Sequence, residues 1–328
     1  MKRVVSFLRL IRPFNLIMIA FTLYTVRFCF VLPVLMFCNF HLQLNEAVFA
    51  WFSISFIFVA AAGYIINDYY DIETDSINRP HRVIIGNVIS SRSALISFWI
   101  LNIVGISAGF VSGYYAGIPL IGVLFLVYFL GLWLYSYKLK SSFLIGNLLI
   151  AAFLGMVPLA SVFIEVMAGI KNAEFQNVFI VMPLRTGAWT IACFAFLSSL
   201  VREIVKDMED LEGDRATGCR TMPVVSGIKK TRVLAMGLLL AMIILLGVIQ
   251  YYAWASGWHI SFYYIMLLIQ LPCIVIAWKL RKALLPGEFH NISSWLKIVM
   301  VTGISYLFIF TYESYTTIQF IRKFSHYL

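Results

Sequence analysis

The sequence predicts an all-α, polytopic membrane protein in which about nine helices cross the bilayer. Three observations carry that expectation. Charged residues make up 12% of the 328 and apolar residues 62%, whereas a soluble domain has about 25% charged residues because its surface faces water. The mean hydropathy is +0.90. The apolar residues are gathered into long runs, and a helix needs about 20 of them to cross the hydrocarbon core.

The runs follow one another along the whole chain. Residues 14–38 come after a basic start of Lys2, Arg3, Arg9 and Arg12. This run is too long for the apolar part of a secretory signal and lacks a small-residue cleavage site, so it reads as the first span. Arg27 sits in its middle, where a charge is costly, and is expected to be buried and hydrogen-bonded. Residues 47–66 form the second span. The polar stretch 72–91 leads from it to spans three and four, at 95–111 and 118–134. Span five covers 143–166, and an outer segment of about 167–178 connects it to span six at 188–201. Glu165 and Arg185 border that outer side and are expected at the interface. A second long polar stretch, 206–230, precedes the last three spans, at 233–254, 260–278 and 298–310. No linker divides the chain, so residues 1–328 are expected to form a single transmembrane domain.

The net charge of +10 is set by topology. With the N-terminus inside, only Arg27, Lys171, Arg185, Arg322 and Lys323 of the 25 Lys and Arg fall outside the cytoplasmic segments. That is the positive-inside pattern; it sets the orientation and argues against a nucleic-acid partner, and with no organelle-targeting extension visible the cell inner (plasma) membrane is the expected location. The five cysteines have no paired spacing and suggest neither disulfides nor zinc. None of the five histidines forms a ligand pair, and His81 reads as a solvated loop residue.

Acid is rare and concentrated. Of the 15 Asp and Glu, ten lie in residues 67–75 and 202–214, each at the cytoplasmic end of a predicted span. Carboxylates at membrane depth are expensive and mark function. Asp68, Asp71 and Asp75 are spaced by three and four, and so are Asp207, Asp210 and Asp214. On a continuous helix each trio falls within a sector of roughly 60°. Clustered carboxylates repel one another, and a hard divalent cation removes the conflict. Magnesium suits them, because it joins a few carboxylates to substrate phosphates. Arg79, Arg82, Lys138, Lys140, Arg202 and Lys206 stand nearby in sequence as candidate phosphate contacts, and Asn15 is a candidate substrate contact. Asn147 serves either substrate contact or helix packing.

These residues resemble the UbiA family of intramembrane prenyltransferases. Asn67, Asp68, Asp71 and Asp75 match its first motif, NDxxDxxxD, and Asn78-Arg79-Pro80-His81-Arg82 its continuation. Asp210 and Asp214 match the second motif, DxxxD, with Asp207 as an additional acid. Arg12-Pro13-Phe14-Asn15 resembles the family's start, and Tyr135 with Lys138 or Lys140 its Tyr/Lys loop. One departure is Arg82-Val83, where the family often has Arg-Pro. The resemblance implies helices bundled around a central cavity, with Mg2+ and an isoprenyl diphosphate donor at a cytoplasmic mouth. It further implies catalytic roles for Asp68, Asp71, Asp210 and Asp214, and metal ligation by these together with Asn67, Asp75 and Asp207. Asn15, Arg79, Arg82, Tyr135, Lys138, Lys140, Arg202 and Lys206 are implied to bind substrate.

The string 202–214 is most similar to the branch that builds ether lipids by transferring geranylgeranyl to geranylgeranylglyceryl phosphate, a phosphate-bearing lipid acceptor. An aromatic acceptor, such as a naphthoate, hydroxybenzoate or homogentisate, would use the same chemistry. A cation-coupled transporter is the reading from another class, but it would place acids near mid-membrane in broken helices.

Overall fold

The computed structural model describes residues 2–172, 174 and 178–325. The side chains of Arg82, Arg322 and Lys323, and residues 175–177 of the expected outer segment, lie outside the described residues. In chain order the helices are α1 (Lys2–Ile11), α2 (Pro13–Phe37), α3 (Glu46–Tyr70), α4 (Ile72–Asn78), α5 (Ser91–Ala116), α6 (Leu120–Tyr137), α7 (Ile145–Lys171), α8 (Val178–Glu209), α9 (Leu211–Ala216), α10 (Met222–Ala255), α11 (His259–Lys282) and α12 (Pro286–Ser325). Among the described residues nine of them are long and apolar enough to cross a membrane. They coincide with the nine expected runs. The sixth, Val181–Glu209, outruns its apolar stretch 188–201 because its polar inner end continues as helix.

Local chemistry sets the ends. The Asn45 side chain accepts from Val48 N at 2.9 Å and opens α3, and Ser90 opens α5 by accepting from Ser93 N at 3.1 Å. Such caps satisfy amides that have no partner in the first turn. Helix α5 closes on Gly117, whose φ of 65° suits glycine.

The chain forms two compact units. The first comprises Met1–Phe21, Leu44–Phe153 and Asp210–Thr231. Here Leu10, Ala62, Ile65, Ile66, Ile85, Ala94 and Phe98 form a buried cluster. Gly105 lets α5 approach α3, since a Cβ there would stand 2.9 Å from Val59 Cγ2 and 3.2 Å from Val59 N. Small residues at such crossings let helix backbones pack closely in lipid.

The second unit comprises Thr22–Gln43, Leu154–Glu209 and Arg232–Leu328. Its core includes Val26, Phe30, Leu35, Val162, Leu184 and Leu307. A π-helical turn, Arg27–Val31, interrupts α2, and Thr311 Oγ1 donates to the Cys29 carbonyl within it at 2.8 Å. Arg27 is buried as expected. Its partner corrects the sequence reading: Glu165 is fully buried rather than interfacial, lies 3.2 Å from Arg27 Nε and accepts from Gln43 N at 2.9 Å. Glu313 is also buried, and it accepts from Ile260 N and Ser261 N at the start of α11.

Candidate active site

Both acidic segments break their helices at the middle acid. Helix α3 ends at Tyr70, Asp71 takes φ −91° and ψ 1°, and α4 begins at Ile72. Helix α8 ends at Glu209, Asp210 takes φ −91° and ψ 8°, and α9 begins at Leu211. The expectation of one unbroken stripe per trio is therefore corrected, since each segment bends at its centre. The four-residue backbone bonds nevertheless persist, from Asp71 N to Asn67 O (3.0 Å), Asp75 N to Asp71 O (2.8 Å) and Asp214 N to Asp210 O (3.1 Å).

The first unit holds most of the expected residues together. Arg12 Nη2 donates to Asp68 Oδ1 at 2.6 Å. Pro13 disfavours a helical conformation at the residue before it; Arg12 has φ 53° and its guanidinium lies 4.9 Å from the Tyr64 ring centroid. Asp71 is buried and accepts from Asn67 Nδ2 at 2.6 Å and from Lys140 Nζ. Arg79 Nη2 donates to Asp210 Oδ1 at 2.6 Å. Asp214 is buried and accepts from Thr221 Oγ1 at 3.0 Å. The loop bearing Lys140 is tied to the chain after the second segment by Arg220 N donating to Ser141 O at 2.8 Å.

This geometry separates the two lysines of the loop. Lys140 reaches Asp71, whereas Lys138 caps α6 and is exposed. Burial opposes the Lys140 charge, but Asp71, Tyr135 and Asp75 hold its pKa above the ordinary lysine value. Burial raises the Asp75 carboxyl, and the charge on Asp71 adds to the shift while Lys140 and Arg79 oppose it. Burial pushes Asp214 up to about 6; the Thr221 bond opposes this and the charge on Asp210 reinforces it. Asn15 is half-buried at the start of α2, and Arg82 lies in the turn Pro80–Arg82.

Three expected residues belong to the second unit. On α8, Arg202 Nη1 donates to Glu203 Oε1 at 2.6 Å, Lys206 Nζ lies 3.5 Å from Glu203 Oε2, and Asp207 is half-buried on the last turn.

The carboxylates of the first unit fit a divalent cation shared with a substrate. The charge on Asp71 raises the proton affinity of Asp75 and the charge on Asp210 that of Asp214, which a dication would reverse. Among the described residues no group of three or more His, Cys, Asp or Glu is gathered closely enough to hold a metal alone. Sequence reasoning did not assign roles to Arg12, Asn78, Gly213 or Thr221. Arg12 had a usable signal in its place directly before a proline at the first span.

The family model for the UbiA prenyltransferase family matches residues 25–287. The chain is 32% identical to digeranylgeranylglyceryl phosphate synthase of Methanosphaera stadtmanae over 246 residues, which are 75% of this chain and 81% of that protein. A solved structure of a digeranylgeranylglyceryl phosphate synthase is 25% identical, with a TM-score of 0.57 over 94% of this chain and 99% of that one. A UbiA homologue from Archaeoglobus fulgidus, bound to DMAPP and Mg2+, shares the fold at 18% identity, with a TM-score of 0.54 over 93% of this chain and 99% of that one. A match running through both units, with a relative of this identity and coverage, means that the chain belongs to the UbiA prenyltransferase family and is an integral-membrane prenyltransferase.

Proposed function

We propose that this prenyltransferase moves a geranylgeranyl group from its diphosphate to geranylgeranylglyceryl phosphate, forming the second ether bond of an ether lipid. The relative named digeranylgeranylglyceryl phosphate synthase supports this acceptor. The observation that carries the reading lies within the first unit, where Arg79, just after the first acidic segment, meets Asp210 of the second at 2.6 Å. On this reading residues 1–328 act as one domain in the plasma membrane. The N-terminus and both acidic segments are cytoplasmic, as the distribution of Lys and Arg supports.

Asp68, Asp71, Asp75, Asp210 and Asp214, with Asn67 and Asp207, are the residues that would hold magnesium. The DMAPP and Mg2+ bound by the Archaeoglobus homologue support a magnesium requirement. Magnesium would neutralise the charge that develops on the leaving diphosphate. Arg79, Arg82 and Lys140 supply further positive charge to its oxygens, Lys138, exposed at the edge of the same loop, contributes little beside Lys140, and Arg202 and Lys206 serve the phosphate of the acceptor. Tyr135 stands beside Lys140 and helps fix its charge, and Asn15 contacts substrate. The bond from the allylic carbon to the diphosphate oxygen breaks and the diphosphate leaves with the electron pair. The acceptor hydroxyl oxygen takes the carbon and gives up its proton. Apolar walls exclude water from the allylic cation.

The test is to incubate the purified protein with magnesium and geranylgeranyl diphosphate. Geranylgeranylglyceryl phosphate, 1,4-dihydroxy-2-naphthoate and 4-hydroxybenzoate are offered in parallel, with products read by mass spectrometry. A magnesium-dependent diether, absent with Asp68→Asn and Asp210→Asn, is expected. A prenylated aromatic in its place would replace the acceptor, and no diphosphate release from any mixture would sink the reading.

A further inference from the structure

We propose that Asn78 is a positioning residue that fixes the second acidic segment against the first, and that position 213 is glycine because the Asn78 amide occupies the place of a Cβ. This rests on the role given above to the acidic segments. Both polar atoms of the amide are used on one turn. Nδ2 donates to the Asp210 carbonyl at 3.2 Å, and Oδ1 accepts from Gly213 N at 2.9 Å. A Cβ on Gly213 would stand 2.3 Å from Asn78 Nδ2, 2.6 Å from Cγ and 2.7 Å from Oδ1.

Gly213 is helical and does not have the positive φ found at Gly218, so its backbone would accept alanine. The demand for glycine is one of space. A methyl group there would meet the far end of a flexible side chain, so the amide would swing away. The clamp, rather than the helix, would be lost.

The position of Asn78 gives the clamp its consequence. It is the last residue of α4, between Asp75 three residues earlier and Arg79 next to it. The end of one short helix thus carries an acid of the first segment, an amide on the backbone of the second and a guanidinium on the Asp210 carboxylate. Thr74 Oγ1 adds a contact to Thr217 Oγ1 at 3.3 Å. With the clamp made, the carboxylates of both segments are held at one spacing. Without it, only the flexible Arg79 side chain and the long Thr74–Thr217 contact span them, and a cation needing both segments must order them itself.

The experiment is a double-mutant cycle of Asn78→Ala and Gly213→Ala in the full-length protein, with two readouts. In hydrogen–deuterium exchange without magnesium, both single variants expose the amides of 211–217 alike, and the double variant goes no further. In prenyl transfer, each single variant raises the half-saturating magnesium concentration about tenfold, as losing two hydrogen bonds allows. The double variant equals either single one, because clash and clamp are one event. Acceptor KM and thermal midpoint stay at the wild-type values, which a merely stabilising contact would not leave unmoved. Additive losses in the cycle would overturn the proposal, as would an unchanged magnesium requirement or a fall in thermal midpoint alone. Failure of the underlying reading looks different: the wild-type protein itself would release no diphosphate, while the exchange cycle would still report the clamp.

Discussion

Replacing Arg27 by methionine removes half of an ion pair whose two side chains are 0% exposed and 3.2 Å apart. Breaking a buried pair leaves the other charge unpaired, at a cost of about 3–5 kcal/mol. At about 2.1 cal/mol/K per residue, a chain of 328 residues shifts by about 1.5 °C per kcal/mol, so the thermal midpoint should fall by about 4–7 °C. Glu165 also accepts from Gln43 N at 2.9 Å, so the compensating change is Glu165→Gln, which removes the charge and keeps an acceptor. The double variant Arg27→Met, Glu165→Gln should recover most of the loss. The assay is thermal denaturation in detergent, followed by the surviving monodisperse fraction, with prenyl transfer measured where every variant is folded. A single variant as stable as the wild type would refute the reasoning. So would a stable double variant without activity, which would give Arg27 to the substrate instead of to Glu165.

Two further outcomes follow from the geometry of the first unit. Lys140→Met should raise donor KM by about 10- to 100-fold, the range for losing a charge-assisted hydrogen bond, whereas Lys138→Met, at an exposed position, should change it no more than about twofold; equal effects in steady-state kinetics would remove the distinction. Asp214, raised to about 6, is protonated below that pH and cannot then ligate a cation, so half-saturating magnesium should climb as pH falls through 6. Thr221→Val, which removes the bond favouring the carboxylate, should move that climb to higher pH; a flat magnesium requirement between pH 5 and 7 would exclude Asp214 from the metal. The sign for folding is opposite. A carboxyl whose pKa is raised in the native state binds more protons there than in the unfolded chain, so its contribution to stability grows as pH falls from about 6 towards 4.

The spans were legible because hydropathy over some twenty residues is a local property and the bilayer fixes its length. The acidic segments were legible for a similar reason, since ten of 15 acids in two short stretches is a contrast that needs no tertiary information. What escaped depended on partners distant in sequence. Glu165 stands near the end of an apolar run, where an interfacial carboxylate and a buried one look alike, and Arg27 lies 138 positions away. Lys138 and Lys140 differ by two residues, and only the short turn Leu139–Ser141 decides which of them meets Asp71. The Asn78 clamp could not be read at all, because an amide side chain bonding the backbone has no spacing signature.

The breaks at Asp71 and Asp210 show that the acids picked out by their spacing are held in a different geometry from the unbroken stripe that spacing implied. A three-and-four spacing on an unbroken helix stacks carboxylates about 5–6 Å apart on one face, where like charges destabilise one another. Bending at the middle acid, with nearly identical dihedrals of −91° and 1° or 8°, turns the flanking acids towards different neighbours. Asp68 meets Arg12, Asp71 meets Asn67 and Lys140, Asp210 meets Arg79, and Asp214 meets Thr221. The bend keeps the four-residue backbone bonds on either side, so it costs little hydrogen bonding. It also gives each of these four carboxylates its own donor. Two segments of one spacing, each bent at its middle acid, therefore solve the same electrostatic problem twice. The three cations used in doing so are Arg12, Arg79 and Lys140.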